Sequence, residues 1–404
     1  MVILLANCGW HVAAQESESY FTVSGVVKDS QTKKKLMYVN VSVPGTNVGT
    51  VTNADGEFSL KIKHIWKSKE VEVSHIGYQN YLFSASGDLT GMVILLKPSI
   101  NVLKEVVVRP SDPRVLLEEA IDRIAANYSK NSDLFSAFYR ETVQKGKRYI
   151  QVAEAVTDVY KFPYNQSVDR DRVRISKGRR LLAPQKSDTL AVKLMGGPYL
   201  SILLDIVKNP DVLLDKEMLG MYDYTMEDQV NLNNRPQYVI SFKPRVTLPV
   251  PLYYGRYFID RENLAFTQIE FSLDMSDLDK ATSVMLVKKP LGLHFKPYEF
   301  SFLVTYKQKN GVSYMNYIRS EAQFKCDWKR KLFSSRYDVI SEMVMTDRNV
   351  ADGKPFPYRE SFTKDEAFSD KVGDFFDSNF WGAYNIIEPT ESLDAAVNKL
   401  KKKQ

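Results

Sequence analysis

Apolar and polar residues alternate along most of this chain, and the runs differ mainly in length. At Val39, Val41 and Val43, and again at Phe58, Leu60 and Ile62, apolar positions recur every second residue, the spacing of a strand with one buried face. Turn residues punctuate these runs. Pro44-Gly45 follows the first, and Asn53-Ala54-Asp55-Gly56 precedes the second, where Asp-Gly supplies the positive φ that a hairpin turn needs. With residues 20–28, 48–52, 70–75, 81–84 and 92–97, they predict about seven short strands between residues 20 and 98, which is the pattern of a β-sandwich.

The period then changes. Asp112 stands as an N-cap with Pro113 at the first helical position, and Leu117, Ala120, Ile121, Ile124, Ala125 and Tyr128 follow at helical spacing. From residue 136 to 347 the alternation returns in longer strands. Ile269, Phe271, Leu273 and Met275 alternate with Glu270, Ser272 and Asp274. Phe300, Phe302, Val304 and Tyr306 repeat the pattern, as do Ala322, Phe324, Cys326 and Trp328. Strands with one apolar and one polar face predict an antiparallel sheet covered on a single side, with residues 199–207 and the Asp112 helix as the cover. After Pro389 a short helix carries Glu391 and Asp394 early and lysines at 399 and 401–403 late, which complements its dipole.

The fold class is therefore mainly β: an N-terminal seven-stranded sandwich, then a larger antiparallel sheet or half-barrel domain with a few helices. The expected divisions are 1–14, 20–98, 99–111 as closing strand and linker, 112–388, and 389–404 as helix and basic tail. The 23 Tyr and 21 Phe agree, since aromatics suit half-buried pleated surfaces. The net charge of +6 over 404 residues is mild, and Lys and Arg are scattered rather than gathered on one face, so nucleic acid is not an expected partner.

The first residues predict export. Val2-Ile3-Leu4-Leu5-Ala6 is an apolar core, and Val12-Ala13-Ala14 places small residues where a signal peptidase cleaves, between Ala14 and Gln15. Cleavage removes Cys8 and leaves Cys326 alone, without a partner for an internal disulfide. After this segment no apolar run approaches the ~20 residues a membrane-spanning helix needs.

Three motifs inside the sandwich carry a resemblance. Val23-Ser24-Gly25-Val26-Val27, the run Gly49 through Asn53-Ala54-Asp55-Gly56-Glu57-Phe58, and Ser74-His75-Ile76-Gly77-Tyr78 resemble the carboxypeptidase regulatory-like family. That resemblance implies a transthyretin-like sandwich, of the kind found beside metallocarboxypeptidases and at the N-termini of TonB-dependent outer-membrane receptors. Leu103-Lys104-Glu105-Val106-Val107-Val108 resembles the strand that closes the module in the receptor branch. The hairpin at Gly255–Leu264, with Ile269-Glu270-Phe271, resembles the half-barrel proteins that carry outer-membrane lipoproteins. Phe138-Tyr139-Arg140-Glu141 and the stretch from Phe380-Trp381 to Glu388-Pro389 are also similar to envelope proteins that carry the regulatory-like module.

Because that module accompanies zinc peptidases, a zinc site is the first chemistry the resemblance brings into question. A catalytic zinc needs about three protein ligands. His64, His75 and His294 begin no His-x-x-Glu or His-Glu-x-x-His pattern, so neither zinc nor any other cofactor is expected. There is no Gly-x-Ser-x-Gly elbow, and Gly196-Gly197-Pro198 lacks the lysine and spacing of a phosphate loop. Asp274, Asp277 and Asp279 lack the alternating ligands and glycine of a calcium loop. Carboxylate pairs of the glycosidase kind stay open, since a sequence carries no distances.

What remains is the apolar face of the large sheet. If its cover is partial, Ile269, Phe271, Leu273, Phe302 and Val304 are expected to line a cleft for an acyl chain or apolar peptide. The resulting expectation is a non-enzymatic envelope protein, exported to the periplasm or outer membrane of a Gram-negative bacterium. Its sandwich would serve as an interaction or spacer unit, and its partner would be another envelope protein or an apolar ligand, with peripheral membrane association. The alternatives are a transmembrane barrel and a carboxylate-based hydrolase.

Overall fold

The computed structural model describes residues 19–65, 70–99, 112–183, 190, 192–194, 196–328, 334–364, 366–374 and 380–401. The expected signal segment with its Ala14–Gln15 junction, the strand expected at 103–108 and the last three residues of the basic tail lie outside the described residues.

The N-terminal module has seven strands: β1 (Tyr20–Asp29), β2 (Asn40–Ser42), β3 (Gly49–Val51), β4 (Glu57–Lys63), β5 (Glu70–Ser74), β6 (Tyr81–Ser84) and β7 (Leu89–Leu96). They form two sheets, in the orders β4-β1-β7 and β3-β2-β5-β6. Phe21, Val23 and Val27 of the first sheet meet Val41, Val71 and Val73 of the second in one core. Gly25 is required where β1 and β7 run parallel, because a Cβ there would strike the Met92 carbonyl oxygen. Gly56 closes the Asp-Gly turn at φ +69°.

The second region begins with the expected helix. α1 (Pro113–Asp122) is capped by Asp112, whose Oδ1 accepts from the Arg114 N–H at 2.8 Å, and buries Leu116, Leu117 and Ala120. Its periodic continuation breaks at Arg123 into a single turn, α2 (Ile124–Asn127). Three long strands follow, β8 (Asp133–Lys145), β9 (Arg148–Lys161) and β10 (Arg172–Leu182), then the short β11 (Lys193–Leu194) and α3 (Gly197–Leu203). After these come β12 (Tyr222–Met226), β13 (Val230–Leu232), β14 (Arg235–Pro244), β15 (Tyr253–Asp260), β16 (Phe266–Leu273) and α4 (Leu278–Met285). The rest is β17 (Leu286–Lys288), β18 (Leu293–Lys309), β19 (Val312–Trp328), β20 (Ser335–Val350), β21 (Gly373–Asp374) and α5 (Glu391–Lys401).

Twelve of these strands make one sheet, ordered β12-β14-β15-β16-β18-β19-β20-β8-β9-β10-β21, with β13 on the side of β14. Every pairing is antiparallel except β10 with β21. Sheets of more than about ten strands curl or split. This one wraps a single core, since Tyr222 and Phe242 near one end belong to the same cluster as Ala155 and Val173 near the other. α1, α3, α4 and residues 204–207 fill the inner face. No helix among the described residues is long and apolar enough to cross a membrane.

The expectation of a sheet covered on one side needs correcting. Phe138, Val156, Tyr317 and Val344 interrupt the polar rows of the outer face, and they form a second buried cluster. Val51 and Tyr38 of the module meet them there, together with Trp381 and Ile387. The module is thus seated on the back of the large sheet. Thr50 Oγ1 donates to the Ile386 carbonyl at 2.8 Å, and Asn53 Nδ2 to that of Pro389 at 3.1 Å. Asn385 bonds the Lys61 backbone on both sides, at 2.7 and 3.1 Å. α5 continues along the same face, burying Leu393 against Val152 and Leu181.

A cleft on the inner face

The five residues expected to line a cleft lie together on the inner face of β16 and β18. Ile269 pairs with Val304 and Phe271 with Phe302, whose rings stack at 4.6 Å. All are buried: Ile269 and Val304 at 0%, Leu273 at 1%, Phe271 at 3% and Phe302 at 7% exposure. Tyr253 packs edge-on to both rings, and Ala281 and Met285 of α4 join the same core. None of the five lines a described cavity.

The opening on that face lies a few strands away. A cavity of about 370 Å³ sits over β18, β19, β20, β8 and β9. Its apolar floor is Val143, Phe300, Ala322 and Val339, and Leu190, Val192, Leu194 and Phe368 close it from above. Phe300 and Phe302 are alternate residues of one strand face, so the five expected residues share the cavity's face of the sheet and lie beyond its end. The difference is in the filling: α4 covers the β16 end with side chains, and the β20–β8 end is covered by loops.

The cleft also has a polar part. Glu141 of β8 lines it and is partly buried. Its carboxylate accepts from the Tyr139 hydroxyl at 3.2 Å and from Gln151 Nε2 at 3.2 Å. Burial raises its pKa above the usual carboxylate range, opposed in part by the Tyr139 hydroxyl and the Gly197 N–H. Beside it the Ser320 and Ser341 hydroxyls meet at 2.6 Å.

Two devices hold the cover in place. Gly197 starts α3 at φ +83°, and a Cβ there would come within 2.6 Å of the Phe362 ring, so glycine alone fits. Behind α3 lies a buried ion cluster. Lys161 Nζ contacts Asp171 at 3.0 Å and Asp205 at 2.8 Å, and Lys208 Nζ reaches Asp171 at 2.5 Å. Tyr164 and Tyr306 both donate to Asp205, at 2.9 and 3.0 Å. Burial alone would lower Lys161, but Asp171 and Asp205 outweigh it and hold the pKa above the ordinary lysine value. Lys208 is pushed down to about 8 by burial and by Lys161.

The remaining candidates resolve into structural roles. The Asp274 carboxylate accepts from the Ser276 N–H and hydroxyl, both at 2.9 Å, and Asp277 caps α4 through the Asp279 and Lys280 N–H groups. Cys326 is buried in β19, its thiol raised to about 11 by burial. Glu154 is held below the ordinary carboxylate range: burial opposes this, and Arg140 and Arg179 overcome it. Arg140 also donates to the Ile387 carbonyl at 2.8 Å, so Phe138–Glu141 and Phe380–Pro389 are in contact.

Comparison with known proteins agrees with the module. Residues 23–108 match the CarboxypepD_reg-like domain. A stretch of 107 residues is 34% identical to the TonB-dependent receptor SusC of Bacteroides thetaiotaomicron, covering 26% of this chain and 10% of the receptor. Among solved structures, a DUF1329 family protein from Desulfovibrio piger aligns over 62% of this chain and 100% of its own, at 10% identity and a TM-score of 0.28. A putative outer membrane lipoprotein-sorting protein domain from Vibrio parahaemolyticus aligns over 59% and 94%, at 11% identity and TM-score 0.25. A LolA superfamily protein from Nitrosomonas europaea aligns over 62% and 99%, at 11% and 0.21. At TM-scores this low, these likenesses carry no argument about what the chain binds.

Proposed function

We propose that this chain is a binding protein of the Gram-negative cell envelope, whose inner-face cleft holds an amphipathic or apolar ligand and whose N-terminal module is an interaction unit. The observation that carries this reading is the cleft: about 370 Å³, with a floor of Val143, Phe300, Ala322 and Val339 and a roof made of loops. The envelope setting is supported by the module's likeness to a segment of an outer-membrane receptor. The barrel alternative is disfavoured by the outer face. It carries the Arg140–Glu154–Arg179 and Arg319–Glu342 groups and takes the module, where a membrane barrel would present an apolar band to lipid.

The test is ligand uptake by the full chain purified without detergent. The fluorescent apolar probe N-phenyl-1-naphthylamine is expected to bind and brighten. Ala322→Trp, which fills the floor, should weaken binding by about ten-fold or more, roughly 1.4 kcal/mol. A melting temperature close to wild type would show that the variant folds. Binding that is absent, or unchanged in a folded Ala322→Trp, would overturn the reading.

A further inference from the structure

The polar corner of the cleft has an unbalanced charge. Among the described residues no Lys, Arg or His makes an ion pair with Glu141, and the neighbouring Arg140 is turned to Glu154 on the other face of the sheet. The other described charged residues that line the cavity come from the loop over it. Glu366 is paired with Lys371 at 2.5 Å, Asp370 lies 3.8 Å from Arg180, and Lys364 is exposed at the rim. From β8 and β9 only the neutral Tyr139 and Gln151 face the carboxylate, and from α3 the Gly197 N–H.

A carboxylate withdrawn from water without a counter-charge is costly, and either a proton or an arriving cation relieves the cost. The three groups facing Glu141 are all placed as donors, which favours the charged form and leaves its oxygens as acceptors. The Ser320 and Ser341 hydroxyls add acceptor capacity in the same cavity. This is the complement of an alkylammonium head, which has one positive charge, three N–H donors and no acceptor. A fatty carboxylate would meet like charge at the same point, and an alcohol would gain only a neutral-donor hydrogen bond.

We propose that the ligand of this cleft carries a protonated amine seated on Glu141, with its hydrocarbon part against Val143, Phe300, Ala322 and Val339. This rests on the cleft reading above and narrows it to a ligand class, the primary-amine amphiphiles.

The experiment compares octylamine, 1-octanol and octanoate by calorimetric titration of the full chain at pH 7.5, with wild type and Glu141→Gln. Octylamine is expected to bind at least ten-fold tighter than octanol, with octanoate weakest, and the amine preference should vanish in Glu141→Gln while octanol affinity is retained. Equal binding of the three probes, or a preference for octanoate, overturns the amine proposal and leaves the cleft standing. Binding of none overturns both. If Glu141→Gln fails to fold, wild type is titrated from pH 7.5 to 4.5, where octylamine stays charged. An amine preference that fades as Glu141 takes up its proton supports the proposal, and one that is flat across the range overturns it.

Discussion

Asp205, fully buried behind the cleft, holds Lys161 and the Tyr164 and Tyr306 hydroxyls. Removing one partner from a buried ion cluster strands the others, which typically costs about 3–5 kcal/mol. Asp205→Asn is therefore expected to lower unfolding free energy by about 3 kcal/mol in urea titration, whereas Glu217→Gln, an exposed carboxylate on a nearby loop, should leave it within about 0.5 kcal/mol. Little of this was legible beforehand. Lys161 ends β9, Asp171 precedes β10, and Asp205 and Lys208 follow α3, and a linear pattern reports period rather than proximity. Gly196-Gly197-Pro198 was legible as a turn. Nothing in the sequence showed that Phe362 would stand against Gly197. Glu141 was visible only as part of a family-like stretch, and its chemistry depends on the burial and the neighbours that folding brings to it.

Elements were legible in proportion to how one-sided their environments are. β16, β18 and the Ser320–Cys326 half of β19 bury one face, so their alternation predicted both strand and orientation. β8 is different: from Ala137 to Arg140 four successive residues are buried, because the main core takes one face and the module and C-terminal stretch take the other. Two-sided burial erases alternation, and this strand could be noticed only by resemblance. The same contact makes the C-terminal stretch a strap. The Trp381 indole meets Phe138 edge-on at 5.3 Å and lies under Arg179 at 4.7 Å, and the Asn385 side chain and the Ile386 and Pro389 carbonyls bond the module. Trp381→Ala should cost about 3 kcal/mol or more, the usual range for deleting a buried aromatic. It should also raise the rate of limited proteolysis after residue 380 while leaving uptake by the inner-face cleft unchanged. Equal protection of the strap in the variant would show that the backbone hydrogen bonds suffice.

At the scale of the whole molecule, the joint between module and sheet holds two bases whose pKa values burial lowers. Lys307 of β18 has its Nζ beside Gly49, where a Cβ would come within 2.8 Å of it, and burial lowers its pKa to about 8, only partly opposed by Glu72. His75, on the module side of the same joint, is pushed down to about 4 by burial. Both folded values lie below the unfolded ones, so the unfolded or undocked chain binds more protons in each window, and stability falls as pH falls through it. For Lys307 the window runs from about 10.5 down to 8, below which the cost is fully present. For His75 it runs from about 6.5 down to 4. Two descending steps are therefore expected in unfolding free energy between pH 10 and pH 4.5, with a flatter region between them. Lys307→Met should shrink the alkaline step, leaving the share of Lys208, whose pKa is lowered to the same value, and should raise stability at pH 7, because the cost it deletes is fully present there. His75→Gln should remove the acid step alone. Urea titrations at pH 10, 7 and 4.5 on the three proteins separate the two groups. An alkaline step of undiminished size in Lys307→Met would assign the whole titration to Lys208, which lies in the buried cluster behind the cleft.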